Sequence, residues 1–174
     1  MSTDTKERYG TVSRMLHWGV ALLVGWQLLK VFDRIDDGEH WVGQTLVSWH
    51  FSIGTLILLL VAFRIPWAIS QRHNRPVVAP PLAFLANAGH FLLYAGLVLL
   101  PLTGIAIMIG EGYGLTVFGI ELASEGAKIP WLASVGGALH SPIAWLLMII
   151  IAGHVGMAFV HHFDRKDDVL RRML

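Results

Sequence analysis

The sequence predicts an all-α integral membrane protein, a four-helix bundle with both termini on the cytoplasmic side. Three observations predict it. Of 174 residues, 55% are hydrophobic and 14% charged, with mean hydropathy +0.59; a soluble domain carries about a quarter charged residues. Four apolar segments are each long enough to cross a hydrocarbon core, which takes about 20 helical residues. Basic residues also concentrate in alternate connections, as the positive-inside rule requires.

The first helix is expected over about 13–33 and contains MLHWGVALLVGWQLLKVF, interrupted by Gln27 and Lys30. Lys6, Arg8 and Arg14 precede it, as basic residues precede a secretory signal. Its apolar run is too long for one, and DRIDDGEH follows where small residues would mark cleavage, so a retained helix is expected. The remaining helices are expected over about 42–64, 82–110 and 132–163, making 1–174 a single membrane domain without a soluble unit. There is no cysteine, which excludes disulfides, thiolate metal sites and covalently attached c-type haem.

Charge sets the expected orientation. Lys6, Arg8 and Arg14 against Asp4 and Glu7 leave +1 before the first helix. Arg64, Arg72 and Arg75 give +3 in the second connection. Arg165, Lys166, Arg171 and Arg172 against Asp164, Asp167 and Asp168 leave +1 in the tail. The alternate connections are acidic: Lys30 and Arg34 with Asp33, Asp36, Asp37 and Glu39 give −2, as do Lys128 with Glu111, Glu121 and Glu125. The basic side is cytoplasmic by the positive-inside rule, with Trp18 and Trp67 at the inner interface and Trp41 and Trp131 at the outer.

That orientation assigns depths to the nine histidines. His50 and His140 fall in the outer half, and His17 and His154, with His90, in the inner half. His140 and His154 are 14 residues apart, about 21 Å of helix rise, and share a face because 14 residues nearly complete four turns. Leu147 lies midway on that face. An ionisable side chain in hydrocarbon is costly and marks a functional site. A single membrane histidine often serves only as a helix–helix hydrogen-bonding group; pairing at two depths asks for more. A haem iron with histidine on both axial positions needs such a pair, and neutral imidazole is a good ligand for it. Gly54, Gly136, Gly137, Ala21 and Ala158, three or four residues from these histidines, leave room for a flat macrocycle. A non-haem metal site is disfavoured, because no acidic residue in the helix interiors shares the cation's charge. His40 and His73 are expected in solvated loops.

The stretches RYGTVSRMLHWGVALLVG, LLPLTGIAIM, GLTVFG to ASE, and AGHVGMAFVHHFDRKDDVLRRML resemble the bacterial cytochrome b561 family, in order and over nearly the whole chain. The resemblance implies a four-helix membrane protein holding two haem b groups and linked to quinone, with some members oxidising superoxide while reducing ubiquinone. It implies His17 and His154 as ligands of an inner haem, His50 and His140 of an outer haem, and a haem-side role for His90. Ser141-Pro142 departs from the pattern: the helix should kink there, or restart with Ser141 as its cap, and either would re-aim His140.

The expected function is electron transfer across the bacterial inner membrane between an outer donor, superoxide or a periplasmic redox protein, and quinone near the inner face. His161, seven residues after His154, is a candidate catalytic proton donor to reduced quinone. Arg14, with Arg64 and Arg75, is a candidate for haem propionates or the quinone edge. No nucleic-acid partner is expected. Two other readings explain fewer observations: an anchor subunit of a larger redox complex, and a histidine-relay proton or metal transporter.

Overall fold

The structure, a computed structural model, describes residues 3–29, 45, 47–76 and 80–174. The acidic stretch from Asp33 to His40, with Lys30 and Arg34, lies outside the described residues, as do Trp41 and the start of the segment expected at 42–64. Among the described residues there are four long helices: α1 (Thr11–Gln27), α2 (His50–Ser70), α3 (Pro80–Gly110) and α4 (Pro130–Phe159). A π-helical turn, Val160–Asp164, extends α4, and a 3₁₀ turn, Arg171–Met173, ends the chain.

α2, α3 and α4 are each long and apolar enough to cross a membrane. Their exteriors are apolar too: Phe63, Phe84, Phe91 and Ile149 are all about two-thirds or more exposed. Side chains of that kind outside a bundle are stable against lipid rather than water. Pro66, Pro101 and Pro142 lie inside helices. A membrane bundle tolerates this because neighbouring helices and side chains re-satisfy the freed backbone groups. At Pro142 the helix does not restart: α4 runs unbroken from Pro130, so Ser141 caps no fresh helix and His140 and His154 stand on one continuous helix.

The tightest packing joins α3 to α4. A Cβ on Gly136 would come within 2.8 Å of the Thr103 carbonyl oxygen and 2.9 Å of Ile107, so a larger residue would force the helices apart. Between the two depths sits a dry core of Val20, Ile53, Ile57, Val61, Leu97 and Leu147. Leu147 occupies the midway position expected of it.

One element has no counterpart among the expected helices. Two antiparallel strands, β1 (Leu115–Val117) and β2 (Ile120–Ala123), form a hairpin between α3 and α4. Phe118 and Gly119 turn it with φ of 49° and 80°, the double positive φ of a type I′ turn. Phe118 N donates to Ser52 Oγ at 3.0 Å and its ring meets Trp49, seating the hairpin over the start of α2.

The opposite end gathers three separate segments. Asp4 N donates to Gln71 Oε1, and the Asp4 carboxylate accepts from Gly10 N and from Arg75 Nε. Tyr9 N donates to the Arg172 carbonyl, Lys6 to the His73 carbonyl, and Trp18 Nε1 to the Met173 carbonyl. The N-terminal segment, the α2–α3 connection and the tail therefore share one end of the bundle, and the hairpin occupies the other.

Candidate functional site

Five of the histidines come together in two groups. Toward the hairpin, the His50 and His140 ring centres are 6.2 Å apart and their planes cross at 73°. Toward the termini, His17 and His154 are 6.3 Å apart at 61°, and His90 and His154 are 5.6 Å apart at 70°. The pairing inferred from depth thus corresponds to ring contacts, with His90 a second neighbour of His154.

Each ring is held by its local setting. His50 opens α2, and its carbonyl accepts from Gln27 Nε2 at 2.8 Å. That bond accounts for a glutamine in an otherwise apolar stretch of α1. Thr103 decides the tautomer of His140. The Thr103 hydroxyl donates to the Leu100 carbonyl at 2.7 Å and lies 2.9 Å from His140 Nδ1. Its single proton is spent on Leu100, so Nδ1 must donate and the lone pair of neutral His140 is on Nε2. His17 is held differently: Arg64, which has only donors, gives a hydrogen bond to His17 Nδ1 at 2.8 Å.

The ring spacing fits a haem held between the two histidines of each pair; at His17 a metal on Nε2 would turn Nδ1 into a donor and replace the Arg64 bond seen here. With metal–imidazole bonds of about 2 Å, two rings on one metal have centres about 6 Å apart, the spacing observed at both levels. Beside His50 and His140 opens a cleft, partly open to the surroundings and lined mainly by apolar residues such as Ile57, Leu97, Leu100 and Met148. Gly54 lies on its wall, where a Cβ would approach Gln27 Nε2 to 3.2 Å. Gly136 plays another part from the one expected: its missing side chain serves the α3–α4 contact, while Gly137 borders open space.

The other site candidates lie at the terminal end. His161 Nδ1 donates to Asp167 Oδ2 at 2.6 Å. That bond is the largest reason the Asp167 carboxyl is held below the usual carboxylate range. Arg14 donates to the Leu174 carbonyl, and Arg75 pairs with Asp4 at 3.0 Å. His162 packs on Phe163, and His73 accepts from the neighbouring Arg72. His40 is outside the described residues.

Three features are absent from the sequence-based expectations: Thr103, Asp167 and the pairing of Arg64 with His17. Thr103 had a signal, since a hydroxyl in an apolar helix needs an acceptor. Asp167 had none, because six residues do not return to the same face of a helix.

Comparison with known proteins points the same way. The family described as prokaryotic cytochrome b561 matches residues 8–174. The chain is 34% identical to "Cytochrome b561 homolog 2" of Escherichia coli strain K12, over 99% of this chain and 94% of that protein. It is 30% identical to "Probable superoxide oxidase CybB" of Yersinia pestis, over 97% of this chain and 96% of that protein. "Cytochrome b561 homolog 1" of Escherichia coli strain K12 is also 30% identical, over 72% of each chain.

Proposed function

The chain belongs to the prokaryotic cytochrome b561 family, haem b-binding membrane electron carriers, and from that premise we propose that it is a dihaem cytochrome b of the bacterial inner membrane. In this reading the hairpin end faces outward, both termini are cytoplasmic, and electrons pass from an outer donor to quinone near the inner face. The observation that carries it is the repeated histidine pair, with ring centres 6.2 and 6.3 Å apart at two levels. Along α4 those levels are about 21 Å apart, with the Leu147 core between them.

His50 and His140 hold the outer haem; His17 and His154 hold the inner one, with His90 packed against His154. When bound, haem iron supplies reversible one-electron chemistry. The protein's own residues fix the ring orientations, exclude water between the levels and handle protons. Quinone takes two electrons and two protons to become quinol, and His161, oriented by Asp167, is proposed to deliver a proton there. Arg14 sits at the same end, with one hydrogen bond to the tail.

Superoxide is the donor proposed for the outer face. It would lose one electron per event and leave as dioxygen, an oxidoreductase activity with ubiquinone as acceptor. The support is the name of the Yersinia relative, "Probable superoxide oxidase CybB". One observation favours a basic redox protein instead: the outer connections total −4.

Ligand variants test the reading. His50→Ala and His140→Ala should each remove about half of the haem absorbance and leave one band. His17→Ala and His154→Ala should remove the other half. A purified, folded protein without haem absorbance would refute the proposal, and loss of the inner haem in His90→Ala but not in His17→Ala would reassign that pair.

A further inference from the structure

The three arginines considered for the inner end differ in what they touch. Arg75 is neutralised by Asp4, whose side chain is fully buried. Arg14 is taken up by the tail carbonyl of Leu174. Arg64 lies inside α2, six residues before its end, and meets neutral groups: His17 Nδ1 at 2.8 Å and the ring of Tyr94 at 5.5 Å from the ring centre. Among the described residues no carboxylate lies within ion-pair distance of it.

The other level is electrically different. Among the described residues lining the cleft at His50 and His140 there is no Asp, Glu, Lys or Arg; the polar members are the two histidines, Gln27 and Ser141, apart from the Trp145 ring. Among the described residues a partly buried cation therefore stands beside one histidine pair and none on the cleft wall of the other.

We propose that Arg64 directs electron flow by holding the inner haem at a higher reduction potential than the outer one. The inference rests on the two-haem reading above. With both haems bound, the transfer would be of one electron, the outer haem being oxidised and the inner one reduced by the same electron, with no bond or proton changing hands. A site that gains an electron is stabilised by a nearby cation. At an effective dielectric of about 20 and roughly 10 Å, that attraction changes the ferric–ferrous ratio by about tenfold or somewhat more. The outer level, about 21 Å away along α4, feels about half of that attraction. Arg64 thereby makes the outer-to-inner transfer downhill; with iron on Nε2 the Nδ1 of His17 would carry the ring's proton and cease to accept from Arg64, so the Tyr94 ring is the contact that keeps the cation at this level.

Redox titration of the purified holoprotein, followed in the haem absorbance, reads this directly. In the His50→Ala variant the inner haem titrates alone. Arg64→Gln should lower the inner midpoint by about 59 mV, the equivalent of tenfold for one electron, and the outer midpoint by no more than about half as much. Arg64→Lys, which keeps the charge, should stay close to the parent. If Arg64→Gln does not retain the inner haem, Tyr94→Glu decides: a carboxylate beside the guanidinium cancels its field while the arginine stays, and the same fall is expected. An unmoved inner midpoint in the neutralised variant, or equal falls at both haems, overturns the role of Arg64. If His50→Ala shows no haem at all, the two-haem assignment fails instead.

Discussion

Thr103 spends its one proton on the Leu100 carbonyl, and that choice fixes which nitrogen of His140 can face a metal. Groups that orient a ligand imidazole typically matter tenfold to a hundredfold in metal affinity. Thr103→Val keeps the shape but loses the acceptor, so the outer haem should be retained about ten- to a hundredfold less tightly; Thr103→Ser should restore it. Haem titration of the two variants checks this, with the inner haem as internal control. Gln27 teaches a similar lesson. Its position in an apolar run marks it as costly, but its partner, the His50 carbonyl, lies 23 residues away and only the packing of α1 against α2 identifies it.

At the scale of elements, the end of α4 departs from regular helix where chemistry is proposed. The π-helical turn Val160–Asp164 and the positive φ of Lys166 (52°) fold the tail back, so that Asp167 meets His161. On a continuous α-helix those two would sit on different faces. His161→Ala should therefore slow quinone turnover while leaving both haem spectra intact, and Asp167→Asn should slow it less. Unchanged turnover in His161→Ala would leave that histidine a plain interfacial residue. Because the bond from His161 holds the Asp167 carboxyl low, the tail contact contributes at pH above the ordinary carboxylate value of about 4 and is lost as pH falls through the lower folded value. Protease access to the residues after Asp164 should rise over that acid range. The hairpin shows what elements reveal and sequence hides: GLTVFG has the turn chemistry, yet a three-residue strand inside an apolar chain is too short to announce itself.

Along the chain the charge alternates, with basic residues in the segments that meet at the terminal end and acidic totals in the alternate connections, of which the one from Glu111 to Lys128 lies at the hairpin end. Lys128 is already counted in the acidic total and pairs with Glu111 at 2.7 Å, so it makes no separate basic patch. A small anion approaching from that side is repelled, and salt screens repulsion over about 8–10 Å at physiological strength. Superoxide oxidation should therefore rise about two- to threefold between low and physiological salt rather than fall, since steering fields change on-rates by such factors or more. Rate against ionic strength, measured at constant pH, decides; a steep fall with added salt would mean that a local basic patch outweighs the acidic total.

Apolar length, the alternation of basic and acidic connections, and the 14-residue spacing of His140 and His154 are properties of the chain alone. They are one-dimensional quantities, so the helical membrane class and the two histidine depths follow from the amino-acid order by itself. The tertiary structure alone decided which rings meet across helices, that α4 continues through Pro142, and that Gly136 serves a helix contact rather than a cofactor. It also sorted three similar arginines into one ion pair, one tail contact and one cation beside His17. The reason is physical. A periodic pattern fixes a residue's height and face on its own helix, whereas a partner on another helix depends on crossing angle, rotation and the small residues that let backbones approach.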